Sequence, residues 1–171
     1  MCASWIAIAS PLLLAAAEST RPEYDVKAAF LLNFTKFVEW PAESFGDSNS
    51  PISICILGKD PFGRTLDDIV QGETVNGRKL AVRRLAQMPA SNECQVVYVA
   101  NTDREAGRGL SNLGAGVLTV GEGDGFIREG GMIGFIVENR RVRFDIKQSA
   151  ADNAGLKLSS KLLSVARSVQ K

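Results

Sequence analysis

The chain has 171 residues, of which 45% are apolar and 23% charged, with a formal net charge of +1. These are ordinary values for one globular domain, and without a basic surplus there is little counterion release to drive nucleic-acid binding. The chain contains no histidine, which excludes Ser-His-Asp and Cys-His catalysis, removes the usual zinc ligand, and leaves acid/base chemistry to carboxylates, lysine, tyrosine or cysteine.

Residues Trp5 to Ala17, WIAIASPLLLAAA, form an apolar run followed at once by polar residues. The run is shorter than the roughly 20 residues a membrane span needs, and it suits the core of a signal peptide. Cleavage is expected after Ala17, where Ala15 and Ala17 give an A-x-A pattern, leaving 18–171 as the mature domain; a buried N-terminal helix is the alternative. Cys2 would leave with the leader. Cys55 and Cys94 then remain, as one disulfide of an exported protein or as two buried thiols.

The first helix is expected over Val26 to Pro41, VKAAFLLNFTKFVEWP. Val26, Phe30, Leu31, Phe34, Phe37 and Val38 recur at helical spacing, while Asp25, Lys27, Asn33, Lys36 and Glu39 fall mostly on the other face. Pro41 disfavours helical geometry at Trp40 and ends the element. The apolar face packs on the domain's own sheet, and the part around Phe37, Trp40 and Pro41 is a candidate subunit or partner interface.

A buried strand follows at Pro51 to Gly58, short, β-branched and bounded by Pro and Gly. Asp60 is a natural N-cap with Pro61 at the first helical position, for a helix whose apolar face is Phe62, Leu66, Ile69 and Val70. Its Gly58–Gly63 loop offers Lys59 and backbone amides to an anion at the carboxyl end of a parallel sheet, or serves turn and capping chemistry alone. Val75-Asn76-Gly77-Arg78 reads as a turn and Lys79–Leu85 as a strand with Leu80, Val82 and Leu85 inward. Cys94–Ala100 is the next strand. Asn101–Asp103 then caps a helix over Arg104–Leu113, a weak one because of Gly107 and Gly109. Gly116–Gly121 is another strand.

The glycine-rich stretch Gly121–Gly131 lacks the Gly-Lys-Ser/Thr ending of a phosphate loop and carries Glu122, Asp124 and Glu129, which repel anions; it reads as a loop needing unusual backbone angles. Met132–Glu138 and Arg141–Ile146 form a hairpin about Asn139-Arg140, with Arg141, Arg143 and Asp145 on one face and Val142, Phe144 and Ile146 on the other. The chain closes with a short helix, Ser149 to Gly155, and a longer one, Ser159 to Val169. The fold class is therefore α/β: a single-domain sandwich with a mixed, mostly parallel central sheet flanked by helices, ending in a β-hairpin and helices.

An ordered series of motifs resembles the YfiR-like family. The first helix carries Ala29-Phe30-Leu31, Asn33-Phe34, Lys36-Phe37 and Trp40-Pro41. Asp60-Pro61-Phe62-Gly63, Val75-Asn76-Gly77-Arg78, Cys94, Gly130-Gly131-Met132-Ile133, Val142-Arg143-Phe144-Asp145-Ile146 and Ala154-Gly155-Leu156-Lys157 follow in order, and Lys147 stands where the pattern has asparagine. The resemblance implies a periplasmic homodimer that acts by binding. It implies a partner too: the periplasmic sensing region of an inner-membrane diguanylate cyclase, or a sensor kinase, so that release raises cyclic di-GMP and favours biofilm growth. It also implies a Cys55–Cys94 disulfide, and no catalytic residue, metal or cofactor. A small-ligand receptor (for a nucleotide, amino acid or anion) using Lys59, Asp60, Arg104, Arg141 and Arg143 is the alternative function. A hydrolase would need two of Asp60, Asp103 and Asp124 to converge.

Overall fold

The structure is a computed structural model that describes residues 21–90, 92–100, 109–110 and 113–171. The expected leader at 1–17, the Asn101–Asp103 cap with Arg104, and most of the helix expected after it lie outside the described residues.

Helix α1 spans Arg21–Phe37, starting earlier than its apolar stripe because Pro22 is well tolerated in a first turn. It also ends earlier than expected. Val38–Glu39 is a short strand, β1, paired antiparallel with β9 (Lys157–Leu158), and Phe37 O accepts from Ser159 N at 3.0 Å. The chain is therefore already extended before Trp40 reaches Pro41, so the proline continues a turn rather than ending the helix.

Among the described residues the main sheet has eight strands, in the order β10-β8-β7-β6-β5-β2-β4-β3. They are β2 (Ile52–Leu57), β3 (Thr74–Val75), β4 (Arg78–Leu85), β5 (Val96–Val99), β6 (Leu118–Glu122), β7 (Ile133–Glu138), β8 (Arg141–Lys147) and β10 (Ser168–Gln170). Strands β4, β2, β5, β6 and β7 run parallel, β8 is antiparallel to β7, and β10 is parallel to β8. The expected mixed, mostly parallel α/β sheet is present. Both tight turns are as read: Asn76-Gly77 and Asn139-Arg140 have positive φ at both central positions, as hairpins of this length require.

Alternation divides the sheet into two apolar faces. Ile54, Ile56, Val96, Tyr98, Leu118, Val120, Ile133, Phe135, Phe144 and Ile146 face the main core, covered by α1, α2 (Arg64–Val70) and the C-terminal elements α4 (Gln148–Asn153) and α5 (Ser160–Val165). Cys55, Leu57, Val97 and Val99 face a second core with Leu110, Val117 and Phe126. Leu85 belongs to this second core and not with Leu80 and Val82, since odd and even positions of one strand cannot share a face. Cys55 and Cys94 are disulfide-bonded, with Cα atoms 5.9 Å apart, and are 0% and 1% exposed.

Three further expectations are corrected. Asp60 does not cap α2: its Oδ1 accepts from Phe62 N at 2.8 Å, a local turn, and the helix begins at Arg64 after Gly63 at φ +53°. The glycine-rich stretch contains a short helix, α3 (Asp124–Arg128). Its Phe126 ring lies against Gly121 and Gly131, and a Cβ on either glycine would stand well inside van der Waals contact with ring carbons. Close packing, more than unusual backbone angles, explains those two. The last helix stops at Val165, and Ser168–Gln170 joins the sheet.

Candidate functional site

The alternation of β6 sends Val120 and Glu122 to the same side, beneath the N-terminal half of α1. There Lys27, only 2% exposed, meets Glu122 at 3.1 Å and also pairs with Glu23 one turn away. Tyr98 donates its hydroxyl hydrogen to Glu122 Oε1, and Tyr24 donates to Oε2 at 3.4 Å while its ring lies 4.4 Å beneath the Lys27 ammonium. Burial, then the Glu122 charge, pushes the Tyr24 phenol up to about 12; the same causes push Tyr98 further. Each polar atom here is engaged by another. The cluster therefore acts as a fixed anchor that holds the start of α1 to the carboxyl end of the sheet.

Further along, α1 is held by aromatic packing. Phe30 and Phe34 contact Phe135 and Phe144 with ring centroids 5.2–6.0 Å apart, pairs each worth about 0.5–1.5 kcal/mol beyond the area they bury. The β7–β8 hairpin extends past this contact. Val137 and Val142, cross-strand partners on the α1 side, are thus left without a helix directly above them. The result is a groove of about 630 Å³ walled by Pro22, Glu23, Val26 and Phe30 on α1 and by Val137, Arg140, Arg141 and Val142 on the hairpin. Val26 is 44% exposed and Val137 50%. Together with Val165 they are the large apolar side chains left exposed among the described residues.

The residues expected to form an interface lie at the other end of α1. Phe37 and Trp40 are partly buried against the main core, and the Trp40 indole donates to Gln95 O at 3.2 Å. Gln95 is itself buried, accepting from Ser53 N and donating to Ser44 O. Trp40 also walls a hollow of about 370 Å³ with Phe45, Val75 and Arg78. Pro41 is half-buried beside Gly116 and Gly155. Trp40 is thus first a brace between α1 and the sheet.

The residues expected to hold a small ligand are not brought together. Lys59 is exposed, and Asp60 Oδ2 accepts from Arg84 Nε at 2.7 Å. Arg84 also binds Asp67 at 2.5 Å, and its guanidinium holds that carboxyl below its ordinary range. Between β2, which ends at this loop, and β8 lie β5, β6 and β7, about 19 Å at the usual strand spacing. Arg141 lines the groove at the tip of the hairpin while Arg143, two residues further along β8, does not, and Arg104 lies outside the described residues. Asp60 and Asp124 do not converge either, since Asp124 is exposed on α3, 4.0 Å from Arg167. Among the described residues no group of three or more His, Cys, Asp or Glu is placed to hold a metal, and no helix is long and apolar enough to cross a membrane.

The anchor and the groove escaped the sequence reading, yet the anchor left two signals. Lys27, Leu31, Phe34 and Val38 are spaced i, i+4, i+7, i+11, so Lys27 belongs on the inward stripe. Glu122 continues the Leu118, Val120 alternation.

Comparison with solved structures finds a conserved domain protein from Vibrio cholerae O1 biovar El Tor at a TM-score of 0.51 and 11% identity, over 86% of this chain and 60% of that one. This chain thus spans about three fifths of that neighbour's length, and the likeness is one of fold. Comparison with curated proteins finds no match. The profile of the family described as YfiR/HmsC-like matches residues 24–167, from the start of the anchor in α1 to the arginine that closes the last strand onto the sheet. The chain belongs to the YfiR/HmsC-like family, a family of periplasmic regulatory proteins.

Proposed function

We propose that this chain is an exported regulator that restrains an inner-membrane diguanylate cyclase or sensor kinase by binding its periplasmic sensing region, thereby lowering cyclic di-GMP and biofilm growth. The observation that carries this reading is the family match over 24–167. The groove between α1 and the hairpin adds to it, because a contiguous exposed apolar surface on a compact domain marks an interaction site more often than a chance exposure. Export through a leader comprising residues 1–17 is part of the reading.

The test is capture of inner-membrane proteins from the chain's own organism by the tagged mature domain, followed by co-expression with whatever is captured. Recovery of a cyclase or sensor kinase whose output falls on co-expression supports the proposal. No captured membrane protein, or a captured cyclase whose output does not change, overturns it. Trp40→Ala is a poor interface probe here, since it also removes the brace to Gln95.

A further inference from the structure

We propose that the groove between α1 and the β7–β8 hairpin docks an acidic amphipathic segment of the partner protein, with apolar side chains seated on Val26, Phe30, Val137 and Val142 and carboxylates on Arg140 and Arg141. The inference rests on the regulator reading and names where, and by what chemistry, that contact is made.

Charge is the first argument. Neither Arg140 nor Arg141 is paired with a carboxylate among the described residues. Glu23, the acid that lines the groove, is already engaged with Lys27, and Glu138, opposite Arg141 in the hairpin register, with Arg167 at 3.6 Å. The rim therefore presents two uncompensated guanidinium groups, which bind carboxylates in a forked geometry.

Shape is the second. The groove is open to solvent, whereas small-molecule sites enclose most of their ligand. Its volume of about 630 Å³ admits a few aliphatic side chains, delivered by a chain lying across it. Such grooves are filled by a helix projecting anchors at i, i+3 or i+4, and i+7. Both walls are fixed before binding, α1 by the Lys27–Glu122 pair and the hairpin by the phenylalanine cluster, so little ordering cost opposes docking.

The experiment measures the captured membrane protein's affinity for wild type, for Val137→Asp, and for the double variant Arg140→Asp/Arg141→Glu. Aspartate is chosen at 140 because φ there is +60°, a region aspartate enters more readily than most residues. All three positions are exposed, and unchanged melting temperatures establish that the variants fold. Val137→Asp is expected to weaken binding about thirtyfold, and the double variant about tenfold, with loss of salt sensitivity. A photo-crosslinker at position 137 should join a segment in which apolar residues and carboxylates recur at helical spacing. Changing one of those carboxylates to arginine should restore binding to the double variant. Unchanged affinity in both variants overturns the docking site and leaves the regulator reading standing. A crosslink to a second copy of this chain, or binding of dodecanoate at 137 in place of a peptide, also overturns it. Failure of wild type to capture any membrane protein overturns the regulator reading, and this inference with it.

Discussion

Arg167 grips Asp145 with both prongs of its guanidinium, Nε to Oδ1 at 2.9 Å and Nη2 to Oδ2 at 2.6 Å. Asp145 is 7% exposed in β8, and Arg167 N donates to Phe144 O at 2.8 Å. This one contact turns the chain out of α5 and lays β10 along the sheet edge. The hydrogen bonds from Arg167 hold the Asp145 carboxyl below its ordinary value of 3.8. A carboxyl with a depressed folded pKa stabilises the fold above its unfolded pKa, and that contribution is lost as pH falls through the folded value. Asp145→Asn is therefore expected to cost about 1–2 kcal/mol at neutral pH. It should also flatten the loss of stability below about pH 4, as urea melts across pH 3–7 would show.

Both tyrosines of the chain share the Glu122 carboxylate, which makes the anchor visible in a single titration. Their folded pKa values are raised, Tyr24 to about 12 and Tyr98 beyond it. The stability this represents is complete below the unfolded value of 10 and is lost as pH rises through the folded values. Near-ultraviolet titration of the native protein should show no tyrosinate at pH 10, and stability should decline from about pH 10 upward. A half-ionised signal at pH 10 in folded protein would contradict the anchor.

Lys27→Met removes the cation from beneath α1 and leaves Glu122 without its ammonium partner. Breaking one side of a buried pair costs about 3–5 kcal/mol. The double change Lys27→Met/Glu122→Leu should recover only part of that loss, because an apolar pair suits the site but leaves the buried Tyr98 hydroxyl without its acceptor, at a cost of about 1–3 kcal/mol. Chemical denaturation of the wild type, the single and the double variant checks the ordering.

The Cys55–Cys94 bond closes 39 residues of sequence separation, for which chain entropy alone predicts about 4 kcal/mol. Cys55→Ala/Cys94→Ala is expected to lower stability by about that amount without changing the fold. Because both sulfurs are buried, the native protein should resist reduction until it opens, and thiol trapping over time would follow this.

Gly131→Ala places a methyl group against the Phe126 ring, and overpacking of this kind costs about 1–3 kcal/mol. Adding Phe126→Leu should return part of the loss by clearing the space. If Gly131→Ala is neutral, close packing is the wrong account of that glycine.

Both hairpin turns could be read from Asn76-Gly77 and Asn139-Arg140, because turn geometry is imposed by those residues and their neighbours alone. The buried strands Ile52–Leu57 and Val96–Val99 were legible for a similar reason: continuous β-branched runs have few other uses. The ends of elements were not. The end of α1 is set by pairing of Val38–Glu39 with Lys157–Leu158, more than a hundred residues away, and the last helix gives way to a strand because Arg167 finds Asp145. The amphipathic stripe that read on to Val169 is a local pattern, and a local pattern cannot register a distant carboxylate.

The sequence by itself determined the fold class, the order of most elements and the family, since periodicity, turn residues and motif order are properties of the chain. Only the tertiary structure decided that Lys27 is an inward anchor and Trp40 a brace, that Lys59 and Arg143 do not share a site, and that an apolar groove opens where the hairpin runs past α1. Each of these depends on which strands lie side by side and where a helix stops covering them, and those distances exist only once the chain has folded.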